Sequence, residues 1–133
     1  MVNSFSMKIT SPISTIDLPY SITFSKMKVK TMRYVTYTAN NNYLLVNLQE
    51  CNTNNTYFDS TTSKQYTKWI PLNPTISTFH YYENINDEWD FVVSNKEKNE
   101  STIRQFKLEC LIDGAYSSDI SASNPLYIEL YFA

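Results

Sequence analysis

Thr102-Ile103-Arg104-Gln105-Phe106-Lys107-Leu108-Glu109-Cys110-Leu111-Ile112-Asp113-Gly114 is the stretch whose reading decides the fold. Phe106, Leu108, Cys110 and Ile112 recur at every second position, with Lys107 and Glu109 between them, which is the period of a half-buried β-strand. Asp113-Gly114 then supplies the favoured two-residue hairpin turn. Gly114 is the only glycine in the chain, and it stands where a positive φ is most needed. Ala115–Ile120 is expected to pair back briefly.

The same period runs outward in both directions. Downstream of Pro125, Leu126, Ile128, Leu130 and Phe132 share one face of a final strand, with Tyr127, Glu129 and Tyr131 on the other. Upstream, Ser4–Ile9 and Tyr20–Phe24 are short candidates separated by an extended region around Pro12 and Pro19. In Lys26-Met27-Lys28-Val29-Lys30 the alternation is regular, but its phase changes near Thr31-Met32, which calls for a bulge or bend. Asn40-Asn41-Asn42 is a turn, because asparagine tolerates left-handed backbone angles. Tyr43–Leu48 has apolar residues on both faces and is expected to be central in its sheet. Cys51–Ser63 reads as a polar loop, and Tyr66–Ile70 as a strand stopped by Pro71. Ile76–Tyr82 and Glu88–Val93 follow, divided by an acidic turn, and Asn95–Ser101 is a charged loop.

This pattern predicts about eight or nine short strands, no helix, no repeat and no linker. So many one-sided strands are buried most simply in two packed antiparallel sheets. The expected fold is an all-β, antiparallel, jelly-roll-like sandwich formed by residues 1–133 as one domain. Residues 1–15 read either as an extended arm reaching a neighbouring subunit or as an edge strand. A chain of 133 residues can bury a sufficient core without staples.

Composition narrows the function. A formal net charge of −2 argues against a nucleic-acid binder driven by phosphate neutralisation. No apolar run is long enough to span a membrane as a helix. The Met1–Ser6 start has no basic segment leading into an apolar stretch, so no secretory signal is expected. Cys51 and Cys110 are accordingly read as reduced thiols. Asn54-Asn55-Thr56 and Asn99-Glu100-Ser101 match the glycosylation sequon, but a chain this rich in Asn, Ser and Thr produces such matches by chance.

Catalytic and metal-binding signatures are weak. Phosphate-cradling loops need several glycines, and zinc sites built on paired histidines need more than the single His80. A Cys–His nucleophile pair would have to join His80 to Cys51 or Cys110. Cys110 is in phase with the core residues of its strand, and Cys51 has no basic neighbour in sequence to activate it. Glu83, Asp87, Glu88 and Asp90 lack the spacing of a calcium loop or a glycosidase pair and read as a solvated turn. No catalytic, cofactor-binding or metal-binding residue is assigned, and a non-enzymatic protein is expected.

Two surface features invite a contact role. Lys26, Lys28 and Lys30 line one side of a strand over roughly 13 Å. They read as a basic stripe for an acidic partner, or as the wet face or lysine-guarded edge of a sheet. Trp69 and Trp89, with Tyr66, Tyr81 and Tyr82, could form a sugar-stacking platform; equally, exposed Tyr and Trp suit protein interfaces, and some must be core.

Phe106–Tyr116, the Ser-rich segment to Asn124, and Pro125–Phe132 together make a long strand, an Asp-Gly turn, a loop ending in Asn-Pro and a terminal strand. With Trp69-Ile70-Pro71-Leu72 and the Asn-, Lys- and Tyr-rich character of the chain, this resembles small β-sandwich minor capsid or cement proteins of large DNA viruses and virophages. The resemblance implies a virion component that binds other capsid proteins and itself, with no catalytic residues to carry over. Each copy would bury on the order of several hundred to a thousand Å² against its neighbours. The alternative is a carbohydrate-binding β-sandwich module that uses surface Trp and Tyr.

Overall fold

The computed structural model describes residues 3–36, 43–48, 57–60, 63–71, 78–85, 88–92, 100–112, 115–116 and 120–133. Cys51, Asp87, the Asn40–Asn42 turn, both turn residues Asp113 and Gly114, and Asn54 and Asn99 of the sequons lie outside them.

The described residues form strands and connecting segments, with no helix among them. In chain order the strands are β1 (Asn3–Ile9), β2 (Ile13–Phe24), β3 (Lys26–Thr36), β4 (Tyr43–Leu48), β5 (Tyr57–Asp59), β6 (Lys64–Tyr66), β7 (Lys68–Pro71), β8 (Thr78–Glu83), β9 (Phe91–Val92), β10 (Ser101–Ile112), β11 (Ala115–Tyr116) and β12 (Leu126–Phe132). Every pairing is antiparallel.

The first sheet runs β1-β12-β3-β8, with β9 added at the start of β3. In the second, β10 lies between β2 and β4, β4 continues to β7, and β11 pairs with the end of β10. The principal strands β1, β2, β3, β4, β7, β8, β10 and β12, renumbered 1 to 8, give 1-8-3-6 in one sheet and 2-7-4-5 in the other. That is the order of a jelly roll, the expected architecture.

The core lies between the sheets. Met27, Val29, Met32, Leu126, Leu130 and Phe132 of the first sheet meet Leu44, Val46, Leu48, Phe106, Leu108 and Cys110 of the second, all fully buried. Phe132 is central, with its ring centroid 5.0 Å from Phe24 and 6.4 Å from Phe106. The alternation read from β10 and β12 is therefore the division between core and outer face.

Several elements differ from the expectation. β5 lies within what reads as the polar loop Cys51–Ser63 and pairs in a hairpin with β6 just beyond it, so the strand read as Tyr66–Ile70 is divided between β6 and β7. Tyr66, at the end of the hairpin, covers Leu45 and Leu111 on the outer face of the second sheet. This gives β4 its second apolar face and explains why both faces of this central strand are hydrophobic. Between β6 and β7, the Thr67 hydroxyl accepts a hydrogen bond from the Leu48 N–H at 3.1 Å.

Pro19 does not interrupt its strand. β2 passes through it at a register irregularity, where Gln105 pairs with Asp17 and Ile103 with Ile22. A missing N–H is tolerated at a bulge. Of the two readings of residues 1–15, the edge strand describes residues 3–9, which pair along β12, while residues 13–15 pair with β10.

Candidate functional site

The outer face of the first sheet carries an ordered row of cations and aromatic rings. Lys26, Lys28 and Lys30 point outward because Met27 and Val29 between them are core residues. The lysine-guarded-edge reading is not what the structure shows: β3 lies between β12 and β8. Nor is Lys28 a solvated side chain; it is 4 % exposed.

The rings explain how Lys28 can be covered. Its Nζ lies 4.6 Å from the Trp89 ring centroid and 5.5 Å from that of Tyr131. Lys26 is 4.5 Å from the Trp89 ring and Lys30 4.3 Å from the Tyr131 ring. An ammonium over an aromatic face recovers part of the solvation it loses, by attraction to the ring quadrupole. Lys30 also donates to the Tyr131 hydroxyl at 2.7 Å and lies 3.9 Å from Glu129. The hydrogen bond to Tyr131 leads the influences that raise the Lys30 ammonium above its ordinary 10.5.

A β-bulge prolongs the row. Leu130 pairs with Val29 but Glu129 with Thr31, so Lys30 is the extra residue. It resolves the phase change read in the sequence: Met27 and Val29 before it, and Met32 and Tyr34 after it, all face the core. Beyond the bulge, Arg33 continues the outer face, its guanidinium 4.9 Å from the Tyr127 ring.

Asp90 departs from the solvated-turn reading. It is 2 % exposed, accepting from the Val29 N–H at 2.7 Å and from Lys68 Nζ at 2.7 Å. Burial pushes its carboxyl up, against the hydrogen bonds from Lys68 and Val29. Burial pulls Lys68 down, but its hydrogen bonds to Asp90 and Tyr82 outweigh that and hold it above 10.5. Glu83 and Glu88 are exposed, as the solvated reading requires. The turn between them is closed by Asn84, whose side chain donates to the Glu88 carbonyl and accepts from its N–H. Among the described residues no group of three or more His, Cys, Asp or Glu could hold a metal ion.

His80 stands on β8 beside a cleft of about 280 Å³ whose lining includes Met32, Ile70, Pro71, Tyr81 and Tyr82. Burial lowers its imidazole below the ordinary 6.5. Cys110 is fully buried on β10, and burial pushes its thiol up to about 12, so it stays neutral and packs as a small apolar group.

The aromatic residues divide between the sheets. Trp89 and Tyr131 belong to the lysine row on the first sheet. Trp69 is exposed on the second sheet, opposite Leu45 and 6.5 Å from the Tyr43 ring. Tyr66 is buried and Tyr81 exposed on β8. The two tryptophans are not brought onto one platform. Sequence reading found the lysines but missed Tyr127, Tyr131 and Arg33 as their companions. The signal was present in the alternation of Tyr127-Ile128-Glu129-Leu130-Tyr131, but not the β3–β12 pairing that unites them.

No protein-family model matches this sequence, and no curated protein is significantly similar to it. Among the described residues no helix is long and apolar enough to cross a membrane.

Proposed function

We propose that this chain is a non-enzymatic structural protein of a virus particle, a minor capsid or cement protein that resides in the virion and binds other capsid proteins, including copies of itself. The observation that carries the reading is the jelly-roll strand order, 1-8-3-6 over 2-7-4-5. Viral capsid domains use that order repeatedly, although lectins and cupins use it too, so fold alone does not assign the role. The resemblance of residues 106–132 to minor capsid proteins adds to it. So does the outer face of the first sheet, where Trp89, Tyr127, Tyr131 and Arg33 are residue types enriched at protein interfaces. Mass spectrometry of purified particles from the source of the sequence tests the proposal. The protein should be present at a copy number comparable to that of capsid subunits, and its absence would overturn the reading.

A carbohydrate-binding role would rest on Trp69, 42 % exposed and beside Tyr43. Binding to a glycan array that disappears in Trp69→Ala would favour it.

A further inference from the structure

Five of the chain's eleven Lys and Arg residues, namely Lys8, Lys26, Lys28, Lys30 and Arg33, stand on the outer face of the first sheet. Among the described strand residues, two carboxylates, Glu129 and Glu83, share that face, on a chain whose formal net charge is −2. Positive charge is therefore gathered here, although the chain as a whole is acidic.

The surface sinks at one end into a groove of about 240 Å³, lined on its outer side by Ser6, Lys8, Thr31, Arg33, Tyr127 and Glu129. Lys8 and Arg33 flank Tyr127 in a single cross-strand row. Glu129 is occupied, accepting from the Ser6 hydroxyl at 3.2 Å and lying 3.9 Å from Lys30. Among the described residues neither Lys8 nor Arg33 is in an ion pair. Both side chains are exposed.

We propose that this groove seats an acidic segment of a neighbouring protein chain, whose Asp or Glu side chains reach Arg33 and Lys8 on either side of Tyr127. The inference deepens the structural-protein reading and rests on it. A guanidinium presents a planar fork that binds a carboxylate through two parallel hydrogen bonds. Arg33 is already positioned over Tyr127, so less side-chain freedom is lost on binding.

Cations interleaved with aromatic residues also suggest single-stranded nucleic acid, but the state of the rings favours a polypeptide. Bases need open ring faces to stack on, whereas Trp89, Tyr127 and Tyr131 each already have a cation over the ring.

The test uses the full chain with two labelled probes of equal length, an oligoglutamate peptide and oligothymidylate, followed by fluorescence anisotropy. The peptide should bind saturably and more weakly as salt rises. Arg33→Glu should weaken binding at least tenfold. Arg104→Glu, the same charge change at an exposed position on β10 of the other sheet, should alter it less than about twofold, with both variants melting like the parent. Absence of saturable binding, equal losses from the two variants, or displacement of the peptide by oligothymidylate at equal concentration would each overturn the proposal. The particle measurement is read separately. A protein found in particles whose groove ignores the peptide loses only this inference, while one absent from particles that binds it through Arg33 loses only the virion role.

Discussion

Lys68 on β7 and Asp90, just before β9, are joined by an ion pair of 2.7 Å that ties the second sheet to the first. The pair is largely shielded from water, with side-chain exposures of 16 % and 3 %. The second Asp90 oxygen holds the Val29 N–H, and the Asp90 N–H donates to the Met27 carbonyl, so one residue pins the loop to β3. Removing the carboxylate strands a mostly buried ammonium and deprives a buried N–H of its acceptor. Asp90→Ala should therefore cost about 3–5 kcal/mol in urea unfolding. Lys68→Ala should cost less, about 1–2 kcal/mol, because a carboxyl already pushed up by burial can take a proton and still accept from Val29. Equal losses would contradict this asymmetry.

Stability should also fall at alkaline pH for an identifiable reason. Burial raises the Cys110 thiol from 9.0 to about 12, and the net effect on Lys68 is to raise it above 10.5. A group with a raised folded value binds its proton more tightly when folded. Its contribution is complete below the unfolded value and is lost as pH rises through the folded one. The stability difference between the parent and Cys110→Ala should narrow by on the order of 2 kcal/mol between about pH 9 and 11. A constant difference across that range would show that the thiol is not held neutral by the fold.

Much of this architecture was legible in local alternation, and what was missed depends on contacts between distant segments. Phe106, Leu108 and Cys110, and again Leu126, Ile128, Leu130 and Phe132, face the core as their period requires. The central place of β4 followed from its two apolar faces, although the Tyr66 hairpin that covers one of them did not. A period of two cannot indicate that a short hairpin will fold back onto a sheet. Asp90 was misplaced for a related reason. Its neighbours Glu83 and Glu88 are exposed, and nothing in the sequence within a few residues of Asp90 announces Lys68 as a partner. For the surface, the lysines were visible as a stripe. Their rings come from β12 and the loop before β9, which only the sheet order brings together.

Phe132 is the point where aromatic residues of both sheets converge. Its ring is 5.0 Å from Phe24, 6.2 Å from Phe5 and 6.4 Å from Phe106, and the residue is fully buried. Truncation to alanine leaves a cavity bordered by rings held on three other strands, which cannot collapse readily into it. Phe132→Ala should cost about 3–5 kcal/mol by chemical denaturation, whereas Phe132→Leu, which retains most of the volume, should cost less than half as much.

The bulge at Lys30 reconciles two phases of one strand. Met27 and Val29 reach the core from one side of it, and Met32 and Tyr34 from the other, because one extra residue restores the phase. Deleting Lys30 should therefore remove the bulge and the phase change together, since Val29 can still pair with Leu130 and Thr31 with Glu129 while all four residues keep facing the core. It loses the hydrogen bond from the Asn84 N–H to the Lys30 carbonyl and the side-chain contacts with Tyr131 and Glu129. Deleting Lys28 has the opposite consequence. With the bulge kept, Met27 turns outward; with the bulge lost, Val29 turns outward and Lys30 enters the core. The Lys30 deletion should still unfold cooperatively, while the Lys28 deletion should abolish cooperative unfolding or lower stability by more than about 4 kcal/mol. Circular dichroism melts of the two variants measured side by side decide the point. Equal losses would mean that the bulge itself, and not the phase it restores, is what the core of β3 requires.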